Sequence, residues 1–152
     1  MFRNLFGKKA AEPIENPAGE SADMKSLRTA LNSMSANLFV VIRIPFEETS
    51  ELQRQLLAAF AFGMSFAVGK IEKLTPPEVY ALAIIMLMGT FRYSAEQATA
   101  FAQELIESAS GRGNPTIRTV IHRGIDGHRQ WHSGERAGLQ DNIESVFKAL
   151  GA

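Results

Sequence analysis

The stretch LLAAFAFGMSFAVG, residues 56–69, decides the fold, because Ser65 is its only polar side chain. A second apolar run, residues 79–88, contains only the hydroxyl of Tyr80 as a polar group. Helices that are apolar on every side are either buried by other helices or placed in a membrane. Each run is shorter than the roughly 20 residues that cross a bilayer. We therefore predict two buried central helices and no stable membrane insertion.

The chain before this stretch predicts one further helix. Apolar residues recur at spacings of three and four from Met24 onward, which is the helical period. Residues 38–44 are rich in β-branched side chains and could instead form a strand. Helix is favoured, because nothing else in the chain alternates with a period of two to pair with a lone strand. Pro45 predicts a break, with a second helix from about residue 46 to about residue 73.

Capping motifs mark where the remaining helices begin. In a capping box, a hydroxyl accepts a hydrogen bond from the first turn, and a carboxylate or amide three residues later bonds back. Such boxes predict the starts of the third and fourth helices at Thr75-Pro-Pro-Glu78 and Ser94-Ala-Glu-Gln97. Asn114-Pro115 begins a fifth helix, and a sixth begins at about residue 135. The predicted fold class is all-α, a compact single-domain bundle of about six helices with a flexible N-terminal tail.

Composition narrows the function. The chain has 152 residues, 45% of them hydrophobic, which suits one domain, here residues 24–152. Its 16 basic and 16 acidic residues leave no net charge, which argues against nucleic acid as a partner. Cysteine is absent, which excludes disulfides, thiolate zinc sites and cysteine nucleophiles, and fits a reducing cytosol. The apolar central helices could also cover a homodimer contact.

The first 23 residues read as a flexible segment. It opens with MFRNLFGKK, which is too short and too weakly apolar for a secretory signal, so a cytoplasmic location is expected. Its apolar and basic side chains could touch a membrane surface or a partner groove, or the segment could be a frayed terminus. Residues 10–23 are rich in proline and acids and read as a tether.

Residues 111–136 carry most of the chain's chemistry, with every histidine, the only tryptophan and five arginines. His128, His132 and Glu135, at spacings of four and three, could in principle offer ligands to zinc or iron. The general-base glutamate of an H-E-x-x-H site is missing, since Arg129, Gln130 and Trp131 intervene. A hydrogen-bonded histidine pair is therefore favoured over a metal site, and no cofactor is predicted.

The fifth helix also carries a charged face. Arg118, His122, Asp126 and Arg129 follow one another at spacings of four, four and three, and so share one side of a helix. Such a row is most often ordinary surface electrostatics. The alternative is a phosphate or carboxylate site, in which Arg112, Arg118, Arg123 and the free N–H groups behind Asn114 converge at the start of the helix. Taken with the metal alternative, this gives a second candidate function: a metal- or phosphate-ligand-binding domain that uses residues 112–136, with a hydrolase as one form of it.

Two glycines lie inside the same helix. Gly124 and Gly127 each cost about 1 kcal/mol relative to alanine in a helix, so something should require them. Close packing of another helix is the plainest reason. A kink that presents His122 and Asp126 to a partner is the sharper one.

A family resemblance supplies a function. The stretch YSAEQATAFAQELIESASGRGNPTIRTVIHRGIDGHRQWHSGE, residues 93–135, resembles the C-terminal part of helical bacterial immunity proteins of the immunity protein 48 family. Its most specific element is IHRGIDGHR, residues 121–129. Proteins of this kind are made alongside a toxin and protect the cell by binding that toxin directly. The resemblance implies a cognate toxin as partner and no enzymatic activity.

The clustering, and not the resemblance, suggests where the toxin binds. Arginine and histidine side chains could pair with acidic groups around a toxin's active site, and Trp and Arg are enriched at binding hot spots. The hydrolase alternative lacks the His-Asp dipeptide usual in helical metal phosphohydrolases. The residues predicted to bind the partner are Arg118, His122, Arg123, Asp126, Arg129 and Trp131.

Overall fold

The computed structural model describes residues 22–152, and within that range the chain forms six α-helices, one 3₁₀ turn and no strand. The helices are α1 (Ala22–Ile42), α2 (Glu51–Ile71), α3 (Pro76–Gly89), α4 (Ala95–Ala109), α5 (Pro115–His132) and α6 (Arg136–Leu150), and the turn is Phe46–Glu48. The predicted all-α bundle is confirmed. The predictions for residues 1–21 lie outside the described residues.

α2 is the central helix of the bundle. The other five helices touch one another in the order α1, α3, α4, α5, α6 and back to α1, which closes a ring around it. Every residue of α2 from 56 to 65 is buried, as its apolar sequence predicts. The same prediction is wrong for α3, which stands in the ring: Ala81 is exposed and Met88 is 42% exposed, so one face of this apolar helix meets solvent. No helix in the described range is long and apolar enough to span a membrane.

The junction between α1 and α2 corrects two sequence predictions. Residues 38–42 continue α1, so the alternative of a strand is wrong. The predicted start of the second helix near residue 46 is also wrong, because residues 46–48 form the 3₁₀ turn and α2 begins at Glu51. The reason is a capping box. The Ser50 hydroxyl accepts from the Gln53 amide at 3.0 Å, and the Ser50 amide donates to the Gln53 side chain at 2.9 Å.

The other predicted helix starts are confirmed by their caps. Thr75 and Glu78 form a capping box at α3, and Ser94 and Gln97 form one at α4. At α5 the Asn114 side chain accepts from the amides of Thr116 and Ile117, at 2.8 and 3.2 Å. These bonds satisfy amides that would otherwise lack partners in the first turn, which fixes where each helix begins.

The packing of α5 on α2 depends on two glycines. A Cβ at Gly124 would lie 2.0 Å from the Phe60 carbonyl oxygen, and a Cβ at Gly63 would lie 2.0 Å from the Ile121 carbonyl oxygen. The backbones of the two helices therefore touch where they cross. At Gly127 the obstacle is a side chain, because a Cβ there would lie 2.5 Å from the Phe60 ring. Close packing of another helix is confirmed as the reason for Gly124 and Gly127.

Candidate functional site

The exposed face of α5 brings four of the predicted residues together. Arg118, His122, Asp126 and Arg129 are all exposed and lie along one side of the helix. The side chains of Arg118, His122 and Asp126 make no hydrogen bond or ion pair with any residue that the structure describes. Arg129 makes an exposed ion pair with Glu135 at 3.3 Å. We call these four residues the α5 stripe. Three of its four side chains are therefore unpaired within the described residues, and no ion pair forms between members of the stripe.

Arg123 belongs to a different set of contacts. Its guanidinium donates to the Asn142 side-chain oxygen and to the Ser145 hydroxyl, both at 2.7 Å. The Asn142 amide donates in turn to the Arg123 carbonyl at 3.1 Å and to the Gln130 side chain at 3.0 Å. Asn142 is only 7% exposed. Arg123 thus ties α5 to α6 and is less available to a partner than the α5 stripe.

Asn142 is the residue of this region that the sequence analysis missed. It follows Leu139 by three residues and precedes Ile143 and Val146, all of them buried. A polar residue within the apolar face of a helix needs a hydrogen-bonding partner on a neighbouring helix. The position of Asn142 on an otherwise apolar helix face is therefore the sequence signal for this contact.

Trp131 lies on the side of α5 opposite the stripe. It follows His122 by nine residues, which is about two and a half helical turns. The indole ring packs against the core, and the Arg136 guanidinium stacks 3.7 Å from its centre while donating to the Trp131 carbonyl at 2.6 Å. A partner that covers the α5 stripe does not reach this ring.

The two histidines of the metal alternative stack on each other, and the carboxylate turns away. The rings of His128 and His132 are 6.0 Å apart and nearly parallel. Val68, Ile71 and Glu72 of the α2 end line the same small hollow. Glu135 is engaged by Arg129 and the Ser133 hydroxyl instead. Within residues 22–152, no group of three or more His, Asp or Glu side chains is arranged to hold a metal ion.

His128 makes the fold sensitive to acid. Burial of its ring lowers its pKa, and the neighbouring His132 lowers it further. A folded-state pKa below the unfolded value of about 6.5 means that the unfolded chain binds the proton more readily. The stabilising contribution of the neutral ring is therefore present above about pH 6.5 and is lost as the pH falls through the folded-state pKa.

We expect the thermal midpoint of the wild type to fall more than that of His128→Gln between about pH 7.5 and about pH 5. The ring is only partly buried, so solvent screening keeps the corresponding difference in the free energy of unfolding below about 1 kcal/mol. Circular dichroism melts at both pH values measure it. Equal losses in the two proteins would show that other groups cause the acid sensitivity.

The arginines of the phosphate alternative do not converge. Arg112 is paired with Glu107 at 3.4 Å, and Arg123 is held by α6. Arg118 lies beside Gly111, while the Asn114 side chain already occupies two amides of the first turn. The three guanidinium groups and the helix start therefore do not form one anion-binding cluster.

Together, these contacts define a small all-α protein that holds one charged helix face rigidly towards solvent. The family model for immunity protein 48 matches residues 27–151, so the chain belongs to the immunity protein 48 family. The match reaches well beyond residues 93–135, on which the resemblance rests. No curated protein and no solved structure matches the chain.

Proposed function

We propose that this chain acts in the cytoplasm as the immunity protein of a cognate bacterial toxin, which it neutralises by binding and occlusion without catalysis. Membership of the immunity protein 48 family supports the immunity role. The α5 stripe is the proposed contact surface. The observation that carries this choice is the set of exposed side chains of Arg118, His122 and Asp126, which no described residue engages.

The fixed position of α5 favours the stripe as a binding surface. Backbone contact between Gly124 and Phe60 leaves the helix little room to move against α2. The Arg123 contacts with Asn142 and Ser145 tie it to α6 as well. A surface that is ordered before binding loses less conformational freedom on association, so more of the contact energy appears as affinity.

The charges of the stripe indicate what they would meet. Two guanidinium groups flank His122 and Asp126, so the stripe fits acidic groups on the toxin with a basic group between them. Opposed charges of this kind raise the rate of association and exclude wrong partners. Arg123 and Trp131, which the sequence predicts as partner-binding residues, then serve to hold α5 in place.

Joint replacement of Arg118, Asp126 and Arg129 by alanine is expected to weaken toxin binding by at least about tenfold. Removing three exposed side chains should leave the thermal midpoint close to that of the wild type. The measurement is titration calorimetry with the growth-inhibiting protein encoded beside this chain in its own genome.

A matched variant controls for the change in charge. Replacing Lys25, Lys148 and Glu104 by alanine also removes two cations and one anion, all of them exposed and outside the stripe. Its dissociation constant should stay within about twofold of the wild type. Unchanged affinity in the stripe variant, with the fold intact, would move the contact surface away from α5.

A further inference from the structure

Gly89, the last residue of α3, is a glycine that neither packing nor backbone geometry explains. A Cβ there would meet only the Asn32 side-chain oxygen, at 4.0 Å. Of the glycines that the structure describes, the others either have a positive φ or would place a Cβ closer than 3.4 Å to a neighbour. Glycine weakens a helix relative to alanine. Gly89 therefore gives the fold no advantage that alanine would not give.

What Gly89 leaves open is a groove between α1 and α3. Its volume is about 440 Å³, within the range of ligand pockets. The residues that line it are Asn32, Ala36, Phe39, Phe46, Gly89, Thr90 and Arg92. A side chain at position 89 would lie over Asn32, inside this groove. We call it the α1/α3 groove.

The groove combines an apolar floor with a side-chain amide that has no partner among the described residues. The rings of Phe39 and Phe46 lie 5.6 Å apart. The Asn32 amide has no hydrogen bond to any residue in the described part of the chain, and an amide of this kind can both donate to and accept from a peptide backbone.

Arg92 supplies a positive charge at the mouth of the groove. Its guanidinium stacks 4.1 Å from the Phe46 ring and uses one nitrogen for Glu47, at 3.2 Å. Both side chains of that ion pair are more than half exposed, so it contributes little, and the remaining donors are open to another carboxylate.

We propose that the α1/α3 groove binds an extended segment of the cognate toxin that inserts an apolar side chain between α1 and α3 and places a carboxylate on Arg92. This rests on the proposed function. Such a segment fits three features of the groove. The apolar floor accepts its apolar side chain, the Asn32 amide can pair with its backbone, and the open donors of Arg92 can bind its carboxylate. In the ring of helices, the α1/α3 seam lies opposite α5, so this contact is separate from the α5 stripe.

Filling the groove tests the proposal. Gly89→Leu fills it from α3 and Ala36→Phe fills it from α1, and both positions are exposed. Each is expected to weaken binding of the neighbouring gene's growth-inhibiting product by at least about tenfold while leaving the thermal midpoint close to that of the wild type. Ala81→Leu, an exposed site on α3 outside the groove lining, is the matched control and should bind as the wild type does.

The outcomes separate this proposal from the proposed function. If the wild type binds the toxin and both filled variants bind equally well, the groove proposal is overturned and the immunity function stands. If Arg92→Gln keeps full affinity, the carboxylate contact is overturned. A wild type that binds no neighbouring product overturns both. A chain that sediments as a dimer, and as a monomer after Gly89→Leu, would show that a second copy occupies the groove.

Discussion

Replacing Gly124 by alanine is expected to lower the free energy of unfolding by about 3 kcal/mol or more. The new Cβ would lie 2.0 Å from the Phe60 carbonyl oxygen, far inside van der Waals contact. Neither atom can turn away, because the carbonyl oxygen belongs to the backbone of α2 and the Cβ is bonded directly to the backbone of α5. The same change at Gly63 meets the Ile121 carbonyl oxygen at the same distance and should be as costly. Native domains have about 5–15 kcal/mol of stability in all, so either change removes a large share of it.

Urea denaturation of the two variants measures the effect. Gly89→Ala is the matched control, because it adds the same methyl group to a helix where the nearest atom is 4.0 Å away. That variant should be more stable than the wild type by about 0.5 kcal/mol, as expected for glycine to alanine in a compatible helix position. A Gly124→Ala protein that unfolds at the same urea concentration as the wild type would show that α2 and α5 do not touch through their backbones.

Phe60→Ala is expected to cost about 3–5 kcal/mol of unfolding free energy, an effect of similar size. The ring is 1% exposed and fills the space between α2 and α5. It also explains Gly127, because a Cβ there would lie 2.5 Å from two atoms of the ring and 3.3 Å from a methyl of Leu139. This obstacle is mainly a side chain, whereas the obstacle at Gly124 is backbone.

A double-mutant cycle distinguishes the two glycines. Phe60→Leu removes the ring atoms that a Cβ at Gly127 would meet, so Gly127→Ala should be destabilising in the wild type and close to neutral in the Phe60→Leu protein. The coupling free energy should be about 1 kcal/mol or more. Gly124→Ala should remain costly in both proteins, because Phe60→Leu leaves the carbonyl oxygen in place. Equal coupling at both glycines would contradict this assignment of the contacts.

Much of the fold follows from local signals in the sequence. The boxes at Thr75 and Ser94 use residues close together in the chain, so they could be read without knowing the packing. Burial of α2 follows because residues 56–65 offer no polar side to solvent except Ser65, whose hydroxyl donates to the Ala61 carbonyl of its own helix. Pro45 predicts a helix start near residue 46, but the Ser50 and Gln53 capping box, which is also local, places the start of α2 at Glu51.

The parts that could not be predicted depend on distant residues. Gly124 needed a close neighbour, but nothing in the sequence shows that Gly63, more than sixty positions earlier, is that neighbour. Arg123 is predicted as a partner-binding residue from its place in the cluster, because its hydrogen-bonding partners Asn142 and Ser145 lie on another helix and leave no local signal. Trp131 is predicted as a partner-binding residue from its residue type, whereas its spacing from His122 places it on the opposite side of α5.

The central glycine contact connects the fold to the proposed function. Backbone contact between α2 and α5 requires glycine at positions 63 and 124. This contact fixes the distance and crossing angle between the two helices, and so the position of the outer face of α5 that carries the stripe. Under the proposed function, a partner meets the part of α5 that carries the stripe already in position. The hydrogen bonds of Arg123 to α6 limit rotation of the helix in the same way.

The most direct test of the immunity function is a growth and binding assay with the proteins encoded beside this chain. Each neighbour is expressed alone and together with this chain, and any pair that restores growth is purified and analysed by size-exclusion chromatography with light scattering. We predict that one neighbour stops growth alone, that this chain restores growth, and that the two elute as a stable stoichiometric complex. A neighbour that kills cells despite this chain, with no complex formed by the folded protein, would contradict the account.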